Sequence, residues 1–191
     1  MNSDLSLSKL IKTSYDAAEE SRFLGFNATK LHLEQAKDAG RLILRRSPSI
    51  PGACTYLSAM WVAMLRDSLH LPAYCVAGDL YVRGRIAFGS TAPNAAKRLD
   101  ASNDVWDGHC WLALGRYIGD ISVFRTAYAQ PQGSNLRQAV LDKFGPGRGL
   151  FLMRWSDALT SGFDHRPKYV ATESEITALI NGALAAGKLK A

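Results

Sequence analysis

The sequence predicts an α+β fold in which helices pack against a small antiparallel sheet. Three observations indicate this fold: apolar residues at helical spacing before residue 47, a short β-rich apolar segment over residues 73–82, and two strand-like segments separated by Gly115 and Arg116. Segments of helical period that alternate with short apolar strands are typical of a mixed fold. We expect one domain over residues 1–191, since this length suits one hydrophobic core.

Composition and charge exclude several classes of protein. Hydrophobic residues make up 47% and charged residues 21% of the chain, as in an ordinary globular protein, so disorder is not expected. The net charge of +6 comes from scattered basic residues and not from a basic run. It therefore indicates a solvated basic surface and no specific nucleic-acid partner.

The cysteines and the N-terminal segment bear on the compartment. Three cysteines, an odd number without CxxC spacing, favour a reducing environment over a disulfide framework. No basic segment followed by an apolar one opens the chain, and no window approaches 18 consecutive apolar residues. We expect a cytoplasmic protein without a membrane span; delivery by a secretion route that needs no signal peptide is the alternative.

The first 48 residues predict a helical layer, followed by a helix that begins at Cys54. Helical spacing is found over residues 5–20 and 28–46, and "SPSIPG" over residues 47–52 ends the pattern. On a helical wheel, the inward side of the next helix carries Cys54, Leu57, Ser58, Trp61, Met64 and Leu65. Cys54 is therefore expected at the N-terminal end of the inward face.

A buried strand is predicted over residues 73–82, where the sequence is short, apolar and β-rich. Residues 83–107 are rich in Gly, Ser, Pro, Asn and Asp and predict a long loop, with a short strand over residues 85–88. Loops this long in compact domains are often functional. Arg83 and Arg85 are therefore candidates for contact with an anionic substrate, although solvated arginines are the simpler interpretation.

Two further strands form a predicted hairpin, because Gly115 and Arg116 suit a type II′ turn. This turn sets three pairs of residues opposite one another: Leu114 and Tyr117, Trp111 and Asp120, and His109 and Ser122. Paired and alternate residues share a face of a sheet, so His109 and Asp120 become diagonal neighbours within hydrogen-bond reach.

The C-terminal extension, residues 125–191, is expected to contain a helix over residues 135–144 and a strand over residues 150–155. A helix over residues 172–190 closes the chain, and its start has the capping-box spacing of Thr172 and Glu175.

Cys54, His109 and Asp120 have the residue types that nucleophilic catalysis requires. A thiolate at a helix N-terminus is stabilised by unpaired N–H groups, and an adjacent imidazole lowers the thiol pKa further. A carboxylate behind the imidazole fixes its tautomer and stabilises the imidazolium. The backbone N–H of Cys54 is the first expected oxyanion donor, and no side chain is assigned as the second.

The same segments carry a resemblance. The succession "GACTYLSAMWVAML", "LHLPAYCVAGD", "GHCWLAL" and "YIGDIS" over residues 52–124 resembles the core of the transglutaminase-like and papain-like cysteine hydrolases. This resemblance implies Cys54 as nucleophile, His109 as base and Asp120 as orienting acid. The bacterial leader peptidases that process lasso peptides are a specific possibility within that superfamily. The chain departs from them in its longer spacing between Cys54 and His109 and in residues 125–191.

Other residues leave alternatives open. Cys75 and Cys110 are interpreted as structural, and a metal site of Cys54, Cys75 and His109 has no signature spacing, so no metal and no cofactor is expected. Asp104 and Asp107 are alternative partners for His109, and Trp111 is a candidate wall of a substrate cleft. His32, His70 and His165 have no comparable setting, but His165 is a candidate substitute base.

The expected function is hydrolysis or acyl transfer at an amide bond of a protein or peptide, through a thioester on Cys54. Hydrolysis by water, as in a peptidase, amidase or deamidase, is favoured because nothing indicates a second substrate site. A transglutaminase or acyltransferase on the same residues is one alternative, and a non-catalytic protein-binding module on the same fold is another.

Overall fold

A computed structural model describes residues 3–50, 53–89 and 108–188 of the chain. Its helices are α1 (Ser3–Ser14), α2 (Ala17–Gly25), α3 (Lys30–Arg46), α4 (Cys54–Asp67), α5 (Val123–Ala129), α6 (Asn135–Phe144), α7 (Trp155–Thr160) and α8 (Glu173–Ala185). Its strands are β1 (Ala73–Val82), β2 (Arg85–Phe88), β3 (His109–Leu114), β4 (Tyr117–Asp120), β5 (Phe151–Arg154) and β6 (Phe163–Val170). The mixed α+β class is therefore confirmed.

The six strands form one sheet in the order β2-β1-β3-β4-β5, and β6 pairs with β1. Every pairing is antiparallel. The central position of β1 explains its sequence: alternate side chains enter two different buried clusters, so polar residues are nearly absent from it. The expected strand over residues 73–82 and the short strand over residues 85–88 are both confirmed.

Helices cover both faces of the sheet and create two cores. One core joins α3, α4 and α8 to the face that carries Cys75, Cys110 and Leu112. The other joins α1, α2, α5, α6 and α7 to the face that carries Trp111 and Ala113. The inward side of α4 is wider than its wheel predicts, because Tyr56 is buried as well. Contact with α3, α8 and the sheet together explains this width.

The β3–β4 hairpin has the predicted register, with Leu114 opposite Tyr117. Gly115 has φ +53°, while Arg116 does not have a positive φ. This combination is the type II′ pattern. The register places His109 and Asp120 on one face, as the alternation of the sequence predicts.

The N-terminal layer is helical, as expected, and the helical spacing over residues 5–20 is divided between two helices. Asp16 interrupts the helical pattern: its side chain accepts the backbone N–H of Glu19 at 2.8 Å and caps α2. An aspartate that hydrogen-bonds its own backbone favours a cap over a helix interior. The new direction of α2 buries Phe23.

In residues 125–188, the predicted helices α6 and α8 and strand β5 are confirmed, and Thr172 and Glu175 form the expected capping box. Helices α5 and α7 and strand β6 were not predicted. The sequence of β6 does not have a recognisable strand pattern, because Pro167 interrupts it and charged residues alternate with buried ones. The proline is tolerated because it lies opposite Gly78 at a bulge in the β1–β6 pairing.

None of the helices in the described part of the chain has the length and apolar content needed to cross a membrane.

We predict that Gly78→Ala destabilises the fold. A Cβ at this position would overlap the main-chain carbonyl oxygen of Arg166 on β6 and would lie 2.9 Å from the Trp111 ring. Overpacking of this kind costs about 1–3 kcal/mol. Urea unfolding measures the loss, and Gly25→Ala is the matched control because a Cβ there meets nothing within 4 Å. Equal stabilities of the two variants would contradict the prediction.

Candidate active site

Asp120 ends β4 and directs its carboxylate to the start of α5. Its Oδ1 atom accepts the backbone N–H groups of Ser122 at 3.0 Å and Val123 at 2.9 Å. Two backbone donors at a helix N-terminus stabilise an ionised carboxylate and hold its plane in one orientation. The other oxygen, Oδ2, is left to face the sheet.

His109, the first residue of β3, binds that second oxygen. Its Nε2 atom lies 2.5 Å from Oδ2 of Asp120, and both residues are buried. The imidazole stacks on the Phe88 ring at 5.0 Å between centroids and on Trp111 at 6.1 Å. Because Nε2 is engaged with Asp120, Nδ1 is the ring nitrogen that is left to exchange a proton with another group.

The two groups form a buried ion pair. Burial alone would raise the pKa of Asp120, but His109 and then His165 hold that pKa well below its ordinary value. Burial alone would lower the pKa of His109, but the Asp120 carboxylate outweighs burial and raises the pKa to about 10. At neutral pH the imidazole is therefore a cation beside a carboxylate.

Cys54 begins α4, which packs against β3. One turn further along, Ser58 donates its hydroxyl to the carbonyl oxygen of Cys110 at 3.0 Å, in a buried contact that fixes α4 on the strand. Among the described residues no side chain caps α4, and its first turn contains no acidic residue. The free N–H groups of this helix end therefore favour negative charge at Cys54.

The pKa of the Cys54 thiol lies well below its ordinary value. The hydrogen bond with the Cys110 thiol is the main cause, and the hydrogen bond with the His109 imidazole and its charge add to it, against the effect of burial. The structure thus places Cys54 beside His109, which in turn hydrogen-bonds Asp120. Cys54 is the most exposed of the three at 8%, compared with 1% for His109 and 0% for Asp120.

Cys110 was interpreted as structural from the sequence, and the structure places it beside Cys54. Strand alternation directs it away from the Trp111 face, as predicted, but that second face is the one that α4 covers. Burial, and then the neighbouring thiols of Cys54 and Cys75, raise the pKa of Cys110 well above its ordinary value. The sequence pattern gives the face of a strand and not the helix that packs on it.

His165 lies in the site, where its imidazole contacts Asp120. Its Nε2 atom lies 3.2 Å from Oδ2 of Asp120, the oxygen that His109 also binds. It is 2% exposed and meets the Trp111 ring edge-on at 5.0 Å. Burial alternates from Phe163 to His165 along β6, but this alternation is visible only in the structure, so no sequence signal identified this histidine.

The other residues that the sequence proposed for substrate contact, or as partners of His109, do not hydrogen-bond Cys54, His109 or Asp120 in the described part of the chain. Trp111 is fully buried and packs against both imidazoles, so it has no free surface for a substrate in this structure. Arg83 is exposed and pairs with Asp142 at 2.6 Å. Arg85 is exposed as well, and Asp104 and Asp107 lie outside the described residues.

The remaining histidines are accounted for by local structure. His32 takes part in the capping box of α3, and His70 is an exposed turn residue with φ +53°.

The described part of the chain contains one cluster with metal-ligand atoms close together, namely His109, Asp120 and His165. It differs from the set Cys54, Cys75 and His109 that the sequence left open. Two ligands at about 2.0–2.1 Å from a tetrahedral ion are roughly 3.3 Å apart. The 2.5 Å between His109 and Asp120 fits a shared proton better than an intervening ion.

Comparisons of this chain with models of protein families, with curated proteins and with solved structures find no match.

We predict that His109 makes stability depend on pH. Its folded pKa of about 10 exceeds the ordinary value of 6.5, so its contribution is complete below pH 6.5 and is lost as pH rises towards 10. The loss is on the order of 3–5 kcal/mol. Urea unfolding across this range, in a Cys54→Ser background that removes the titration of this one thiol, measures the larger part of it, because Asp120 raises the His109 pKa more than Cys54 does. The slope should vanish in Cys54→Ser/His109→Gln; the same slope in both proteins would refute the assignment.

We also predict that Cys110→Ala moves the alkylation midpoint of Cys54 to higher pH by roughly one unit, because the thiolate loses a hydrogen bond. Cys110→Ser retains a donor and should preserve most of the effect. Mass spectrometry of iodoacetamide labelling against pH measures the midpoints. Coincident midpoints for wild type and Cys110→Ala would show that the contact has no influence on the nucleophile.

Proposed function

We propose that this protein is a cysteine hydrolase that cleaves an amide bond of a protein or peptide through a thioester on Cys54. The observation that carries the proposal is the buried series of contacts from Cys54 through His109 to Asp120. Each member has the charge state that the chemistry needs: a thiol of lowered pKa, an imidazole of raised pKa and an ionised carboxylate.

In the first step, the Cys54 thiolate attacks the carbonyl carbon of the amide. The negative charge that develops on the carbonyl oxygen is stabilised by the Cys54 backbone N–H at the start of α4. The C–N bond then breaks, and the leaving amine takes the proton from Nδ1 of His109. The products of this step are a free amine and an acyl group bound to Cys54 as a thioester.

In the second step, Nδ1 of His109 accepts a proton from water, which attacks the thioester carbonyl. The C–S bond breaks and releases the carboxylic acid, and the thiolate–imidazolium pair is restored. Asp120 holds the ring by Nε2 throughout and stabilises its cationic form.

A transglutaminase-like architecture is part of the proposal. It is supported by the order of the elements that carry the three residues: a cysteine at a helix start, a histidine on a strand, and an aspartate on the next antiparallel strand. This order is that of the resemblance in residues 52–124. A primary amine in place of water would make the same intermediate a transamidation intermediate.

A non-catalytic binding module is the second candidate. Burial favours it, since His109 and Asp120 are at most 1% exposed and a substrate must reach Cys54. Thiol reactivity separates the two functions, because only an accessible thiolate is alkylated quickly at acidic pH.

The test is the rate of iodoacetamide labelling of Cys54 against pH, with peptide mapping to separate it from Cys75 and Cys110. We expect labelling with a midpoint below pH 7, and a loss of at least about 10-fold in rate at pH 6 in His109→Ala. His32→Ala is the matched control, because that histidine caps α3 and stacks on Phe26. An ordinary thiol profile in wild type would favour the binding module.

If Cys54 is reactive, glutamine-containing proteins and peptide mixtures test the acyl acceptor. New chain ends indicate a peptidase and ammonia indicates a deamidase, while incorporation of an added primary amine indicates a transamidase. Cys54→Ala should abolish each product.

A further inference from the structure

The contacts of Oδ2 of Asp120 go beyond a simple three-residue series. This oxygen has two imidazole neighbours, His109 at 2.5 Å and His165 at 3.2 Å. A carboxylate oxygen offers two lone-pair directions, so the two histidines compete for the charge of one atom. The mechanism proposed above uses only one of them.

Two rings fix where His165 lies. Its imidazole meets Trp111 edge-on at 71° and Phe151 at 81°, and it is fully enclosed by the second core. Strand β6 brings it there through the pairing of His165 with Leu80 on β1. The imidazole is therefore held against Asp120 by packing as well as by the hydrogen bond.

The titratable side chains that act on His165 are Asp120 on β4 and His109 on β3. Burial lowers the pKa of His165, and Asp120 offsets this only in part. The ring is therefore neutral at pH 7. A neutral imidazole that faces a carboxylate with Nε2 must carry its proton on Nε2, since a bare nitrogen would repel the oxygen.

We propose that His165 is a positioning residue of the site: its Nε2–H shares Oδ2 of Asp120 with His109 and limits how tightly the carboxylate retains the His109 proton. The role rests on the proposed function of the site and deepens it. A base that retains its proton too firmly is a poor acid for the leaving amine, and a second donor on the same oxygen weakens that retention.

His165 affects the negative charge that Asp120 presents to His109, and it does not hold the Asp120 carboxylate in position. Oδ1 of Asp120 is anchored by the backbone N–H groups of Ser122 and Val123, and the His109 ring is held by Phe88 and Trp111. These contacts do not involve His165. Removal of the His165 donor should therefore leave the His109–Asp120 pair in place and strengthen its hydrogen bond.

The test is nuclear magnetic resonance of the protein labelled with ¹⁵N-histidine, which contains four imidazoles in all. In His165→Leu, the deprotonation midpoint of His109 should rise by about half to one pH unit, and the shared proton should move downfield. His165→Gln retains an amide N–H near the position of Nε2. In this variant the His109 midpoint should return to within about 0.2 pH units of wild type, and the resonance of the shared proton should return towards its wild-type position.

A lower or unchanged midpoint in His165→Leu would overturn the proposal, and so would a glutamine variant that behaves like the leucine variant. A merely structural role predicts a similar loss of thermal stability in both variants. It does not predict a His109 deprotonation midpoint that rises in His165→Leu and returns in His165→Gln. If His165→Leu does not fold, wild type alone decides: a His165 that is cationic at pH 7, or protonated on Nδ1 only, contradicts the proposal.

These measurements are independent of turnover. An ordinary alkylation profile of Cys54 would refute the proposed function and leave the effect of His165 on the ion pair intact. If Cys54 is reactive but the His109 midpoint does not rise in His165→Leu, the proposed role of His165 is refuted and the proposed function is not.

Discussion

The buried ion pair of His109 and Asp120 is the interaction on which the rest of the site depends. Two charges removed from water are costly unless their remaining polar atoms are satisfied. Here the compensation comes from separate parts of the chain: the start of α5 provides two N–H donors to Oδ1, and β6 provides His165 to Oδ2. The start of α5 and strand β6 therefore each contact one oxygen of the Asp120 carboxylate.

The first residue of β3 connects the two cores. Trp111 and Ala113 follow His109 on the face covered by α1, α2 and α5–α7, while Cys54 is on α4 against the opposite face. His109 contacts both Cys54 and Asp120 because it lies at the end of the strand, where the sheet no longer separates them. The same end of β3 brings Cys110 beside the Cys54 thiol. One strand therefore contributes two of the groups that lower the pKa of the Cys54 thiol, namely His109 and Cys110.

Much of the site was predictable because it rests on local geometry. The helix start at Cys54 follows from a break and an apolar pattern, and the contact of His109 with Asp120 follows from a two-residue turn and the period of a strand. The contribution of Cys110 was not predictable from alternation alone, since it requires knowledge of which helix covers its face. Helix α5 was missed because its start is stabilised by Asp120, a residue already assigned to a strand.

The sequence by itself determined the α+β class, the hairpin register and the face shared by His109 and Asp120, because these depend on short-range periodicity and on the backbone freedom of Gly115. Only the tertiary structure decided that His165 joins them. His165 lies 45 residues beyond Asp120, on a strand that carries a proline, so its place in the sheet depends on the pairing of β6 with β1 and on packing against Trp111. Long-range pairing of this kind leaves no local pattern from which a contact can be predicted.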